Sequence, residues 1–132
     1  MINHTQLPEN CIAYACKIHR VVDGDTYYVE YMLAGKDQGY LRRDDFVRHA
    51  RVDTWESRTR DLEEKKKGIL ATEAVEEWAG DGLNLWLISW GQREFSRGKY
   101  GRLLGEIMNL DHELLGDYLF NNNHVKKTTY MF

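Results

Sequence analysis

Two aspartates flank a glycine in the segment VVDGDTYYV, Val21 to Val29, which is otherwise apolar and aromatic. Asp23 and Asp25 are two residues apart, so on a strand or at its end both carboxylates point to the same side. Paired carboxylates provide the hard oxygen donors that Ca²⁺ and Mg²⁺ prefer. Aspartate and glycine are also the ordinary residues of turns, and turn chemistry alone favours a simple turn. The motif by itself therefore leaves both interpretations open.

A second charged segment, FVRHARVDTWE, lies at the end of a predicted strand. Arg48 stands within the strand, and Asp53 and Glu56 follow where the strand gives way to a loop. Taken singly, such charges are more often solvated surface residues than members of a site. Arg48 and Asp53 are an odd number of residues apart, which in a regular strand places them on opposite faces. A shared site therefore requires a bend or bulge before Asp53.

A third segment, RGKYGR, brings Lys99 and Arg102 to the start of another predicted strand. A planar guanidinium such as that of Arg102 can donate two hydrogen bonds to one phosphate group. Tyr100 is suited either to contact with a nucleotide or to packing in the core. Lys99 and Tyr100 are therefore candidate substrate-binding residues, and Arg102 is a candidate catalytic residue.

The composition restricts the class of protein. The chain has 132 residues and a net charge of −3, so phosphate binding must depend on a local cluster of cations. No apolar stretch is long enough to span a membrane, and we expect no membrane partner. The N-terminal residues lack a signal-peptide pattern, and Cys11 and Cys16 fall on opposite faces of one predicted strand. We therefore expect free thiols and a cytoplasmic protein, with a monomer favoured.

Hydrophobic periodicity predicts the elements that must position these residues. Alternation predicts five strands, at Ile12–Val22, Thr26–Leu33, Phe46–Val52, Leu83–Trp90 and Leu103–Met108. A long hairpin loop, Ala34–Asp45, is predicted between the second strand and the third, and a turn is predicted at Gly91 and Gln92.

Two helices complete the predicted architecture. The first begins near Glu63–Lys67 and ends at Gly80–Gly82. Its predicted apolar face has Leu70, Ala74 and Trp78 at helical spacing, beside Ala71 and Val75. The second has Asp111 as its N-cap and fades at Asn121–Asn123. Its predicted apolar positions are Leu114, Leu115, Tyr118 and Leu119. This order of elements predicts an α+β fold, a five-stranded OB-type β-barrel with helices.

Three of these motifs together resemble a known family. VVDGDT, then an arginine five residues before the Asp of VDTxE, then KYGR, in this order and with a helix between the last two, resemble the staphylococcal nuclease (thermonuclease-like) family. The resemblance covers roughly Ile12 to Phe120 and implies a single domain over residues 1–132, with an OB-fold barrel of the staphylococcal-nuclease type.

The resemblance also implies a set of site residues. Asp25 and Asp53 would be direct Ca²⁺ ligands together with the backbone carbonyl of Thr54, and Asp23 would support them without touching the ion. Arg48, Glu56 and Arg102 would be catalytic. The implied activity is Ca²⁺-dependent cleavage of DNA or RNA with little sequence preference, leaving 3′-phosphate and 5′-hydroxyl ends. Another divalent ion could replace Ca²⁺.

The same chemistry follows from the residue types. Carboxylates that hold a divalent ion place it against a phosphoryl oxygen. Glu56 can act as a general base or orient the attacking water, and Arg48 and Arg102 can neutralise the charge that builds on the phosphate.

Two features keep alternatives open. Trp55 stands where the family usually has proline, which puts the metal affinity in question. Related barrels that have lost the catalytic set act as binding modules, so an inactive or weakly active module that binds nucleic acid or protein is the alternative. The sequence does not decide between DNA and RNA, between endonucleolytic and end-directed cleavage, or whether the protein is of viral or mobile-element origin.

Overall fold

Eight strands and two helices form the described part of the chain. The computed structural model describes residue 7 and residues 11–35, 39–89, 93–95 and 101–128. The elements in chain order are β1 (Ile12–Asp23), β2 (Thr26–Gly35), β3 (Gly39–His49), β4 (Val52–Asp53), α1 (Leu62–Ala79), β5 (Leu85–Ser89), β6 (Arg93–Phe95), β7 (Gly101–Met108), α2 (Leu115–Asn121) and β8 (Lys127–Thr128).

Five of the strands close into a mixed β-barrel. β1 pairs antiparallel with β2 and β5, β2 pairs with β3, and β5 pairs with β7. A short parallel pairing between β3 and β7, from Val47 opposite Leu103 to His49 opposite Gly105, closes the ring. β6 lies along β7, and β4 and β8 form a separate two-stranded sheet. The predicted α+β barrel of five strands is therefore confirmed, while its OB type stays a prediction.

The core fills the barrel from the inward faces of the strands. Tyr27 and Val29 of β2 and Val47 of β3 have no exposed surface. Val75 of α1 and Leu115 of α2 are equally buried and join the same apolar cluster, so each helix covers part of the barrel. Cys11 and Cys16 are both free thiols, and burial raises the pKa of Cys16 to about 12. None of the helices in the described residues is long and apolar enough to cross a membrane.

The predicted loop Ala34–Asp45 is wrong. β2 continues through Gly35 and β3 begins at Gly39, so only residues 36–38 separate the two strands. Four charged residues of this segment lie on strand β3, namely Arg42, Arg43, Asp44 and Asp45, and the first three of them are exposed. Successive side chains of a strand point to opposite faces, so this part of β3 is exposed on both faces. Its unbroken run of charges therefore resembles a loop in sequence.

Two helix predictions also need correction. Asp111 is not an N-cap: α2 begins at Leu115 and its N-cap is Leu114, which makes no side-chain capping bond. Asn109 forms the preceding turn, and its side-chain oxygen accepts hydrogen bonds from the backbone N–H groups of Asp111 and Glu113. In α1, Leu70 is 55% exposed. The predicted Ala71, Ala74 and Val75 are buried together with Gly68 and Ala79, so mainly small side chains line the face against the barrel.

Candidate functional site

The predicted site residues that the structure describes line one pocket of about 450 Å³. They are Asp23, Asp25, Arg48, Asp53, Thr54, Glu56 and Arg102. Four residues that the sequence did not predict line the same pocket, namely Thr26, Glu64, Lys126 and Lys127. The remaining predictions, Lys99 and Tyr100, lie outside the described residues, as do Trp90 and the predicted turn at Gly91 and Gln92.

The turn between β1 and β2 is packed tightly against the loop that carries Thr54. A Cβ atom on Gly24 would lie 2.8 Å from Thr54 Oγ1 and 2.9 Å from the Cβ of Ala71. The hydroxyl of Tyr27 donates a hydrogen bond of 2.6 Å to the carbonyl of Gly24, which fixes the turn from the barrel interior. Glycine is therefore required by the close approach of Thr54, and the turn is also one wall of the pocket.

Asp25 is buried and held in one orientation by three donors. Its Oδ2 accepts a hydrogen bond of 2.9 Å from the backbone N–H of Thr54 and lies 3.1 Å from Nη1 of Arg48. Its Oδ1 accepts a bond of 3.0 Å from the hydroxyl of Thr26. Only 8% of the residue is exposed. A carboxylate fixed in this way presents its oxygens to the pocket with little conformational freedom left to lose on binding a ligand.

Arg48 bridges the two carboxylates that the sequence predicts as metal ligands. Nη1 contacts Asp25 and also donates to the carbonyl of Val52 at 3.2 Å, while Nη2 contacts Oδ1 of Asp53. Lys127 adds a more distant charge, with its Nζ 3.9 Å from Oδ2 of Asp53. Asp25 and Asp53 are thus both paired with the guanidinium of Arg48. A metal ion bound between the two carboxylates would have to displace this guanidinium from at least one of them.

A bend between β3 and β4 brings Asp53 to the same side as Arg48. β3 ends at His49, residues 50 and 51 form a bend, and β4 begins at Val52. The backbone N–H of His49 donates to the carbonyl of Asp25 at 2.7 Å, and that of Ala50 donates to the carbonyl of Gly105 at 2.9 Å. The bend predicted from the odd spacing of Arg48 and Asp53 is therefore confirmed.

A buried polar network holds this bend from inside the protein. The guanidinium of Arg51 donates to Oε2 of Glu106 at 2.8 Å and to Oδ1 of Asp117 at 2.6 Å. His49 Nε2 lies 2.7 Å from Oε1 of Glu106, and the side chains of His49 and Glu106 have no exposed surface. The network joins β3, the bend, β7 and α2, so the position of Asp53 depends on contacts far from the pocket.

The protonation of this network follows from its hydrogen bonds. Nδ1 of His49 accepts a bond of 3.0 Å from the backbone N–H of Arg51, so the ring proton sits on Nε2 and is donated to Glu106. Glu106 also accepts from the backbone N–H groups of Ile107 at 2.8 Å and Gly116 at 3.2 Å. Burial alone would raise the pKa of Glu106, but the contacts with His49 and Arg51 outweigh it and hold this pKa below its ordinary value.

Asp23 positions the loop that carries Glu56. Its Oδ1 accepts hydrogen bonds from the hydroxyl of Ser57 at 2.6 Å and from the backbone N–H of Ser57 at 3.3 Å. The neighbouring Trp55 is covered on one side by Lys67 of α1, whose Nζ lies 5.0 Å from a Trp55 ring centroid. The tryptophan thus contacts the helix, and Glu56, exposed between Trp55 and Ser57, lines the pocket.

Helix α1 also packs directly against this loop. Asp61 caps the helix by accepting bonds from the backbone N–H groups of Glu63 at 3.0 Å and Glu64 at 3.3 Å. At Gly68 the helix passes so close that an added Cβ would lie 2.4 Å from the carbonyl oxygen of Glu56. A glycine inside a helix ordinarily costs stability, and here it permits the approach that fixes Glu56.

Replacing Gly68 by alanine is expected to lower the free energy of unfolding by about 1–3 kcal/mol, because the new methyl group collides with backbone atoms that cannot rotate away. Urea unfolding measures this change. Glu73→Ala, on the exposed face of the same helix, is the control and is expected to change stability by less than about 0.5 kcal/mol. A Gly68→Ala protein as stable as the parent would contradict the close packing of α1 on the Glu56 loop.

Two lysines that the sequence did not predict lie at the start of β8 and immediately before it. β8 pairs with β4, and the backbone N–H of Lys126 donates to the carbonyl of Asp53 at 2.7 Å. Nζ of Lys126 lies 3.5 Å from Oε1 of Glu64. Contacts over such a separation in sequence have no periodic signal, and a pair of lysines after a helix is usually a solvated surface feature. Nothing in the sequence therefore marked them.

The pocket combines oxygen donors with cations. Five carboxylates and four cationic side chains line it. Oxygen donors of Asp25, Asp53 and Thr54 suit a hard divalent cation, and the buried Oγ1 of Thr54 has no hydrogen-bond partner among the described residues. Arg48 and Arg102 suit a phosphate group. The donor set therefore fits a divalent cation beside an anionic phosphate ester.

Comparisons with known proteins add no assignment. No model of a known protein family matches the chain, and no curated protein sequence matches it either. What the chain does must therefore be inferred from its motifs and from the geometry of the pocket.

Proposed function

We propose that the protein is a divalent-cation-dependent nuclease that hydrolyses phosphodiester bonds in DNA or RNA, with a staphylococcal nuclease-like OB barrel. One observation carries this proposal. The carboxylates Asp25, Asp53 and Glu56 and the guanidinium groups of Arg48 and Arg102 come from four separate parts of the chain and line one pocket. Single charged residues are ordinary on a protein surface. A pocket lined by both carboxylates and guanidinium groups is suited to binding a cation and a phosphate together.

Asp25, Asp53 and the backbone carbonyl of Thr54 are the proposed Ca²⁺ ligands, and other divalent ions are tested alongside Ca²⁺. When bound, the ion would supply charge neutralisation at a phosphoryl oxygen and lower the pKa of a coordinated water. Asp25 is held ready by Thr26 and by the backbone of Thr54.

The protein groups have distinct roles in the proposed reaction. Arg48 and Arg102 donate hydrogen bonds to the non-bridging phosphate oxygens and stabilise the charge that develops on them. Glu56 accepts a proton from the attacking water, whose oxygen forms a bond to phosphorus. The bond from phosphorus to the 5′ oxygen breaks, and this oxygen takes a proton from solvent, which leaves a 3′-phosphate and a 5′-hydroxyl. Asp23 orients Glu56 through Ser57.

A cleavage assay tests the proposal directly. The purified chain is incubated with plasmid DNA, single-stranded DNA and RNA in Ca²⁺, Mg²⁺ or Mn²⁺, and then with a chelator. Cleavage is expected with at least one of these ions and is expected to stop when the ion is removed. Binding of nucleic acid without cleavage in any of these ions would overturn the proposed activity and favour a binding module.

Asp25→Asn is expected to weaken Ca²⁺ binding at least tenfold, because the substitution removes a negative charge from the proposed ligand set while keeping the shape of the side chain. Calorimetric titration with Ca²⁺ measures the affinity without any substrate. Asp111→Asn, an exposed aspartate of the turn before α2, is the matched control and is expected to leave the affinity unchanged. Equal affinities in the two variants would exclude Asp25 as a metal ligand.

A further inference from the structure

The outer face of strands β2 and β3 leads directly away from the pocket. Thr26 and Arg48, which line the pocket, are opposite each other in the register of these strands. Two residues further along each strand, Tyr28 is opposite Phe46. Because side chains two apart on a strand share a face, this pair lies on the same face as Thr26 and Arg48, at a spacing of roughly 7 Å.

Half-buried Tyr28 and exposed Phe46 form an aromatic pair on this face, which we call the aromatic rung. Their ring centroids are 4.9 Å apart and their planes are inclined by 54°. Phe46 is 43% exposed, and the ring of His19 approaches Tyr28 to 6.1 Å. The hydroxyl of Tyr28 donates a hydrogen bond of 3.3 Å to Asp44, which restricts the ring. The strand therefore presents an oriented aromatic surface to solvent, beside the pocket.

Packing of the barrel does not require these aromatic side chains. The adjacent residues Tyr27 and Val47 point to the opposite face and have no exposed surface, so they supply the core contacts of these strands. A cross-strand aromatic pair contributes up to about 1 kcal/mol to a sheet, but β-branched residues at the same positions would also pack without exposing a large apolar ring. An exposed apolar ring beside a charged pocket, as at Phe46, is a feature expected of a binding surface.

Beyond the aromatic rung, the charge of Glu30 is compensated by neighbouring cations. The next pair along the strands is Glu30 opposite Asp44. Glu30 lies 3.5 Å from Lys17 and 3.8 Å from Arg42, and it is hydrogen bonded to His19 at 3.0 Å. These cations offset the repulsion that Glu30 would exert on an approaching polyanion, and Asp44 accepts a hydrogen bond from the hydroxyl of Tyr28.

We propose that the aromatic rung stacks a base of a single-stranded nucleic acid whose phosphate is held in the pocket by Arg48. This inference rests on the proposed function and specifies how its substrate binds. Aromatic side chains stack on any base, so they add affinity without sequence preference. In a duplex the faces of a base are covered by its neighbours, and only an unpaired or splayed nucleotide can reach Tyr28 and Phe46.

The test uses fluorescence anisotropy in Ca²⁺ with Glu56→Gln as the parent, which is expected to bind without cleaving. Two labelled 12-mers are compared, oligothymidylate and a strand of the same length whose sites are all abasic. The parent is expected to bind the base-bearing strand about tenfold more tightly. Tyr28→Ala and Phe46→Ala are each expected to reduce this preference severalfold by weakening binding of oligothymidylate alone, and Phe46→Trp is expected to preserve it.

Phe120→Ala is the matched control, because Phe120 is also a partly exposed aromatic residue but lies on α2. It is expected to leave both affinities unchanged, and thermal unfolding of every variant reports whether the fold is intact. Equal binding of the two strands by the parent, or equal weakening of both strands in Tyr28→Ala, would overturn the stacking role while leaving the proposed nuclease intact. Failure of the unsubstituted chain to bind or cleave any nucleic acid would instead overturn the proposed function, and the stacking role with it.

Discussion

Arg48→Ala is expected to lower the rate of phosphodiester cleavage by about 10²- to 10³-fold at saturating Ca²⁺ and substrate. The substitution removes a planar donor that can bind two phosphate oxygens and follow the charge that develops on them. It is also expected to tighten Ca²⁺ binding, because the guanidinium no longer contacts the carboxylates of Asp25 and Asp53. Single-turnover kinetics measure the rate, and calorimetric titration measures the affinity.

The two effects have opposite directions, which separates a catalytic role from a structural one. A variant that loses activity because the pocket collapses would lose Ca²⁺ affinity as well. Arg48→Lys keeps the charge without the planar fork and is expected to recover only a small part of the rate. Arg43 is an exposed arginine on the same strand, and Arg43→Ala is the matched control. It is expected to cleave at the rate of the unsubstituted protein. A near-normal rate in Arg48→Ala would exclude the proposed contact with the phosphate.

Local patterns in the sequence were sufficient for β1, β2 and the turn between them, which carry Asp23 and Asp25. Alternating residues from Ile12 onwards and the glycine between Asp23 and Asp25 are short-range signals, and β1, the turn and β2 lie where these signals predict them. The odd spacing of Arg48 and Asp53 even required the bend that the structure contains. These predictions succeeded because they depend on neighbours a few residues away, for which chain geometry gives a fixed rule.

Polarity misled the prediction wherever charged residues lie on a solvated strand. The segment Ala34–Asp45 was predicted as a loop because its glycines and charges match loop composition, yet most of it is paired between β2 and β3. Leu70 was placed on the buried face of α1 from spacing alone. The helix instead approaches the barrel so closely that small residues line the contact, and Gly68 is part of it.

Contacts between distant parts of the chain could not be predicted where neither a local pattern nor the family resemblance covers them. β4 and β8 are two residues each, too short for a periodic signal, and their pairing places Lys126 and Lys127 at the pocket. Arg51 looks like an ordinary strand charge in sequence. Its partners Glu106 and Asp117 lie on β7 and α2, and only the closed barrel brings them together.

Glu106→Gln is expected to lower the free energy of unfolding by about 3 kcal/mol at pH 7, because it leaves the buried charge of Arg51 without its partner at Oε2. The difference from the parent is expected to depend on pH. The pKa of Glu106 is lower in the folded protein than its ordinary value, so ionised Glu106 stabilises the fold fully above that value. This contribution is lost as the pH falls through the lowered pKa. Urea unfolding of both proteins from pH 7 to pH 3 measures this difference in the free energy of unfolding.

The difference in unfolding free energy between the unsubstituted protein and Glu106→Gln is therefore expected to be largest at neutral pH and to become smaller in acid. The other carboxylates are present in both proteins, so their contributions largely cancel in the difference. Glu73 is an exposed glutamate on α1, and Glu73→Gln is the control. Its free energy of unfolding is expected to lie within about 0.5 kcal/mol of that of the unsubstituted protein at every pH tested. Because the network holds the bend before Asp53, Glu106→Gln is also expected to weaken Ca²⁺ binding. Unchanged stability at pH 7, or a gap that widens in acid, would show that ionised Glu106 does not hold the bend.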